Sequence, residues 1–512
     1  MSVKAQKSNS VKILERREQY RDQYWHKKDP IIKDRLLWRA QTFRHLVHLL
    51  PGQTILELGC GKGLFTKQLY QVSRGENNIT AVTFQEDLPQ TEMPASVEVL
   101  SLTAIVEQLD GKQFDFIVAM DLMDKSNCSW LLQQVYKLLK PGGQIIFYES
   151  NPWNVFLQGS RLISGLFGKK DQRQLLNRTE LYELMSELGF VKVFSVFNDF
   201  VYAPLTPKAV WVLRNLSIIL ENFPFIRTLA GSILIHAQKP AQQLATPKVS
   251  LCDHPELKGA ISVVVPCHNE EMNVGPLVTQ LMNFYGDYLH EIILVDDNSK
   301  DNTKEVIKKL ALQYPLINPV FRTPPNGVGR AIMDGYKHAT GCYILSMDCD
   351  FQHLLPELRD MFDAAVQGKD VIVGSRFSRH SVLLNYPIQK IIANRGFHFL
   401  ARIILRERFR DLTNNLKLIK REVVEKLPLS QPGFSINAET GLMPLMMGYT
   451  IEEVPISWIN RTPDMGVSSF KLVKVGGGYW DVLKYLWKQA AFNKKSVYHR
   501  KARVNRPMTV TA

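Results

Sequence analysis

Several features that would assign a class quickly are missing from this chain of 512 residues. No run of about 18 or more apolar residues occurs, so no membrane-spanning helix is expected. Met1 to Asp22 is charged and lacks the apolar core of a secretory leader. The six cysteines, Cys60, Cys128, Cys252, Cys267, Cys342 and Cys349, include no Cys-x-x-Cys pair. That argues against a zinc site or a disulfide framework and for reduced thiols in a cytoplasmic setting. No internal repeat or low-complexity segment stands out. Acid is short of base: 63 Lys and Arg against 49 Asp and Glu leave a formal charge of +14. That excess asks for an anionic partner. Nothing resembles an aromatic stacking sheet or a recognition helix, so nucleic acid is not the expected one.

What is present begins with Asp348-Cys349-Asp350, at the end of the apolar run Cys342-Tyr343-Ile344-Leu345-Ser346-Met347. Carboxylates at i and i+2 just past such a run can both face one hard cation, and Gln352 adds a third oxygen at the next alternate position. A cation held there neutralises a diphosphate leaving group, the chemistry of nucleotide-sugar transfer. Upstream, Ile261-Ser262-Val263-Val264-Val265-Pro266 runs into Cys267-His268-Asn269-Glu270-Glu271, and Ile292-Ile293-Leu294-Val295 into Asp296-Asp297-Asn298-Ser299. Continuous apolar strands alternating with helical patterns predict a parallel sheet that binds ligands beyond its carboxyl ends. Three polar clusters after three such strands are expected to converge on one edge.

From about Ala260 to Trp487 the ordered segments resemble the family 2 glycosyltransferases, in the dolichol-phosphate mannose synthase-like branch. They include Asn326-Gly327-Val328-Gly329-Arg330-Ala331, Gly374-Ser375-Arg376, Asp411-Leu412-Thr413 and Glu453-Val454-Pro455-Ile456, and Arg461 with Gly466 and Ser469-Phe470-Lys471 closes the set. The resemblance implies a GT-A fold, a nucleoside-diphosphate sugar donor of GDP-mannose or UDP-glucose type, Mg2+ or Mn2+, inversion at the anomeric carbon, and a polyprenyl or dolichyl phosphate acceptor. It implies nucleotide contacts at Pro266, Glu270, Val295 and Asp297, and metal and diphosphate contacts at Asp348, Asp350 and Gln352. Arg376 and Arg461 would grip phosphates, which suits a guanidinium fork. Glu439 occupies the place of a catalytic carboxylate. A phosphate acceptor is already an anion and needs no base, whereas a saccharide or metabolite acceptor would make Glu439 a true one. His268 stands where the branch has Tyr. Lys390 and Asn394 stand where it has an Arg and a Ser that hold the acceptor phosphate.

The amino-terminal half carries a separate signal. Thr54-Ile55-Leu56-Glu57-Leu58-Gly59-Cys60-Gly61-Lys62-Gly63 reads as a strand, a glycine-rich turn and then a helix from Leu64 to Tyr70. With Gln113 to Val118 and Leu139 to Phe147, the region from about Arg35 to Gln238 resembles class I S-adenosylmethionine-dependent methyltransferases. The resemblance implies a Rossmann-like fold with Glu57, Gly59 and Gly61, and Gly63 of the same turn, around the cofactor. Thr83 ends the strand Ile79-Thr80-Ala81-Val82 where an acidic residue should meet the ribose, leaving Glu86 or Asp87 to substitute. Ser101 replaces an Asp that usually contacts adenine. A non-catalytic docking module is the alternative for this half.

The expected organisation is therefore α/β in two domains: a methyltransferase-like domain over 1–238, a polar, proline-bearing linker over 239–259, a glycosyltransferase domain over 260–487 and a basic tail over 488–512. From Asp481 onward eight Lys or Arg face one acid, interleaved with Trp480, Tyr485, Trp487 and Phe492. Ile388 to Leu405 mixes apolar residues with Lys390, Arg395 and Arg402. Both stretches suit an anionic lipid surface and predict a peripheral, membrane-associated enzyme. For Ile388 to Leu405 a core-facing helix is an equal alternative. Val210 to Ile235 is expected to form a further amphipathic cap on the methyltransferase-like half or, equally, to cover an acceptor channel.

Overall fold

The computed structural model describes residues 3–25, 29–85, 93–101, 109, 111–166, 173–201, 205–241, 248–384, 386–459 and 472–492. The chain divides into two compact units, residues 1–245 with 382–385, and residues 246–381 with 386–512.

The first unit is built on a seven-stranded sheet in the order β3-β2-β1-β4-β5-β7-β6. Its strands are β1 (Thr54–Leu58), β2 (Asn78–Thr83), β3 (Val97–Ser101), β4 (Phe114–Met120), β5 (Leu139–Ser150), β6 (Val191–Asn198) and β7 (Ser232–Gln238). β1 pairs in parallel with both β2 and β4, so the strand order reverses at β1. That reversal opens the crevice in which ligands of open α/β sheets bind. Helices α1 (Val3–Tyr24), α2 (Pro30–Val47) and α3 (Leu64–Val72) surround that edge. Asp29 caps α2 by accepting from Ile31 N at 2.8 Å, with Pro30 in the first turn, where its missing N–H is no loss.

The segment Val210 to Ile235 is not one amphipathic cap. A helix spans Pro207–Leu220, and Ser232 onward is β7, antiparallel between β5 and β6. Every residue of β7 is buried. Its β-branched, apolar centre at Ile233, Leu234 and Ile235 fits the middle of a sheet better than a surface helix.

The second unit holds another seven-stranded sheet, with β8 (Ile261–Cys267), β9 (Leu289–Asp296), β10 (Ile317–Phe321), β11 (Tyr343–Ser346), β12 (Val371–Ser375), β13 (Lys417–Lys420) and β14 (Ile451–Pro455), in the order β10-β9-β8-β11-β13-β12-β14. β10, β9, β8 and β11 run parallel and β13 is antiparallel to β11. The centres of these parallel strands are buried, which is why Val263–Val265 of β8 and Ile292–Val295 of β9 read as unbroken apolar runs in the sequence. The stretch Lys239 to Gly259 is not uniformly a linker: Leu251, Cys252 and Leu257 are buried, and Tyr288 Oη donates to Cys252 O at 2.7 Å. No described helix is long and apolar enough to cross a membrane.

Candidate active sites

In the second unit the strand order reverses between β8 and β11. Register pairs Pro266 with Val295, Cys267 with Asp296 and Val264 with Ser346, so the carboxyl ends of β9, β8 and β11 lie side by side. Asp348 and Asp350 follow β11 as half-buried side chains with the buried Cys349 between them. Asn415 Nδ2 donates to Asp348 Oδ1 at 2.7 Å and orients that carboxylate. Among the described residues no group of three or more His, Cys, Asp or Glu could hold a metal. Two hard carboxylates fit a cation that completes its shell with substrate phosphates and water. Glu270 accepts from Asn273 Nδ2 at 2.6 Å, Pro266 is half-buried and Val295 is buried. The side chain of Gln352 and all of Arg461 lie outside the described residues.

Other predicted contacts are engaged within the protein. Asp297 accepts from Gly327 N at 2.7 Å and pairs with Arg322, and Asn326 Nδ2 donates to Asp297 O at 2.9 Å. Its carboxylate thus holds the turn before helix α4 (Val328–His338). Glu439, on helix α5 (Ile436–Met447), accepts from Ser430 N at 2.9 Å, Ser430 Oγ at 2.8 Å and Gln431 N at 3.0 Å. The loop so anchored lies over the start of α4, where Gly329 N donates to Pro432 O at 3.0 Å. Arg376 turns its fork onto Asp411. Asn394 donates to Thr413 Oγ1 at 3.1 Å and to Asp411 Oδ1 at 3.3 Å. Lys390 is half-buried, and burial, then Arg376, lowers its pKa.

One buried cation carried no signal in the family motifs. Lys417 sits wholly buried in β13 beside Ser346 of β11 and donates to Asn414 O and, at 3.1 Å, to Asn437 O. Burial brings its pKa down to about 7 against the opposing pull of Asp411. A lysine inside the apolar run Leu416-Lys417-Leu418-Ile419 was the only hint available.

In the first unit Glu57 ends up buried, with its Oε2 lacking a hydrogen-bond partner. Burial pushes its carboxyl up to about 7. An orphaned buried carboxylate oxygen fits a cationic ligand group. Gly59, Gly61 and Gly63 all have positive φ, as the tight turn before α3 requires. The space at Gly61 is nevertheless filled: a Cβ built there would collide with both carboxylate oxygens of Asp22 from α1. Glu18, also from α1, accepts from Gly61 N at 2.7 Å, Phe84 N at 2.8 Å and Thr83 Oγ1 at 3.1 Å. A cofactor therefore fits this cradle only with α1 elsewhere. Glu86 and Asp87 lie outside the described residues.

Residues 262–428 match the model of the glycosyl transferase family 2, and residues 25–194 match that of a methyltransferase domain. The chain joins a methyltransferase domain to a family 2 glycosyltransferase domain. The glycosyltransferase domain is similar to the dolichol-phosphate mannosyltransferase of Pyrococcus furiosus, 31% identical over 182 residues, which are 35% of this chain and 51% of that protein. It is also similar to the polyprenol monophosphomannose synthase of Mycolicibacterium smegmatis, 29% identical over 213 residues, 40% of this chain and 79% of that protein. The match thus spans about half of the archaeal relative's length. Among solved structures, the glucosyl-3-phosphoglycerate synthase from Mycobacterium tuberculosis in complex with UDP matches with a TM-score of 0.36 and 18% identity, over 48% of this chain and 88% of that one.

Proposed function

We propose that the glycosyltransferase domain moves a hexose from a nucleoside-diphosphate sugar onto a polyprenyl phosphate with inversion. The observation that carries this reading is the pair Asp348 and Asp350 at the reversal between β8 and β11, one of them oriented by Asn415. Mg2+ or Mn2+ held by these carboxylates, with Gln352, would supply charge to the departing diphosphate. The acceptor oxygen attacks the anomeric carbon from the face opposite the leaving group, and the glycosyl–oxygen bond to the diphosphate breaks. A phosphate nucleophile is already ionised, in keeping with a Glu439 whose oxygens hold a loop rather than face a substrate. The names of the two curated relatives, built on dolichol phosphate and polyprenol, support this acceptor class.

A lipid acceptor needs a surface from which to be drawn. The helix Ile388–Leu405 exposes Ile392 by 60%, Phe399 by 62% and Ile403 by 58%, while Ile391, His398, Ala401 and Leu405 are buried. An apolar outer face ending at the exposed Arg406 suits the boundary of an anionic bilayer. The methyltransferase domain implies S-adenosylmethionine as the methyl donor, for which Glu57 and the glycine turn would provide contacts.

The test is differential stabilisation by GDP- and UDP-sugars with Mn2+, followed by transfer of labelled sugar to a short-chain polyprenyl phosphate. A donor at about 100 times its dissociation constant raises stability by about 2.7 kcal/mol. Label in the lipid phase supports the reading; stabilisation with label only in water-soluble saccharide would move the acceptor to another class.

A further inference from the structure

The amino-terminal helix lies where the methyltransferase cofactor should. Arg17, Glu18, Arg21 and Asp22, spaced i, i+1, i+4 and i+5, form one buried face of α1. Each meets the carboxyl edge of the sheet. Glu18 takes the amides of Gly61 after β1 and Phe84 after β2. Arg21 donates to Met120 O of β4 at 3.1 Å. Arg17 donates to Met123 O at 3.0 Å and pairs with Glu149 of β5 at 3.4 Å. Lys62, inside the glycine turn, donates to Asp22 O at 2.8 Å, satisfying a carbonyl of the last turn of α1.

Both departures from the family pattern serve this helix. A carboxylate at position 83 would stand against Glu18 and repel it; the Thr83 hydroxyl donates to it instead. Ser101 Oγ donates to Gln85 O at 2.6 Å, and Gln85 Nε2 donates to Asp22 Oδ2 at 3.1 Å. Glu18 is 0% exposed, which leaves no room for a ribose hydroxyl beside it.

We infer that α1 is an intrachain plug of the cofactor cradle, so that helix and S-adenosylmethionine exclude one another and the methyltransferase domain is shut while the helix is seated. This rests on the methyltransferase reading of the first unit. The contact is suited to release. The face that meets the cradle is mostly charged, with Leu14 the one wholly buried apolar residue among the described side chains of α1. Buried ion pairs gain little over hydration, so the undocked helix leaves little apolar surface in water. A plugged cradle raises the apparent dissociation constant by the reciprocal of its open fraction.

The experiment compares the full chain with the full-length double variant Glu18→Ala/Asp22→Ala, by calorimetric titration with S-adenosylmethionine and by amide exchange at Gly61 and Phe84. A chain lacking residues 1–25 serves as a second form. The plug predicts faster exchange at both amides in the variants and binding tighter by at least about tenfold. Equal affinity in all forms overturns it. Unchanged exchange shows that the helix is not seated there and overturns it too. Faster exchange without cofactor binding in any form overturns the exclusion by removing the cofactor reading itself, with the helix still docked.

Discussion

The Arg376 guanidinium grips Asp411 with two nitrogens, Nε to Oδ2 at 2.7 Å and Nη2 to Oδ1 at 3.0 Å, and both groups are buried. Burial works against the charge on each, yet their attraction holds Asp411 well below the usual carboxylate range and Arg376 above its own. Arg376 N and Asn394 Nδ2 also donate to Asp411. Removing one partner strands the other. Asp411→Ala is expected to destabilise the second unit by about 3–5 kcal/mol, read from denaturant unfolding of the full chain. A loss within experimental error would mean that water reaches the pair.

Glu439 offers a kinetic test of acceptor class. Its three accepted hydrogen bonds make it the anchor of the loop at Ser430 and Gln431, which lies over Gly329. Glu439→Gln is expected to loosen that loop, raising the donor KM with no change in the shape of the pH–rate profile. Loss of the acidic limb from the profile would make Glu439 the proton acceptor after all and favour a hydroxyl nucleophile.

Glu57 predicts a pH dependence. Its folded pKa of about 7 exceeds the ordinary 4.5, because burial penalises the carboxylate, so the folded state keeps a proton that the unfolded chain releases. The stability linked to that proton is fully present below about pH 4.5 and is lost as pH rises through 7. Glu57→Gln cannot titrate. The wild type is expected to lose stability relative to this variant, by an amount on the order of 3 kcal/mol, between these limits. Thermal melts at pH 4.5 and 7.5 read the difference; parallel behaviour of the two proteins would show that Glu57 is already ionised when folded.

Much of this was legible from residues alone, and the reason is periodicity. β1, β8, β9 and β11 announce themselves as short apolar runs ending in Gly, Asn or Asp, because parallel strands hide both faces. The helix at Ile388–Leu405 has the predicted bounds. What escaped depends on contacts distant in sequence. No local pattern says that the charged face of α1 reaches Gly61 more than forty positions away, or that Asp297 spends its oxygens on Arg322 and Gly327. Lys417 escaped for the same reason, since its two carbonyl partners come from separate segments. The start of β7, Ser232 to Ile235, falls within the expected cap because its apolar residues continue the apolar content of the helix Pro207–Leu220, and only its pairing with β5 and β6 makes it a strand.

In the proposed mechanism Asp348 and Asp350 hold a divalent cation that makes nucleotide departure possible. This role is tested most directly by measuring sugar transfer to polyprenyl phosphate by the Asp348→Asn/Asp350→Asn protein across a Mn2+ titration, with circular dichroism confirming the fold. The account predicts turnover reduced by at least about a hundredfold, in line with losing several kcal/mol of charge stabilisation, and no recovery at high Mn2+. Wild-type turnover in that variant, or indifference of the native protein to chelation, would contradict it.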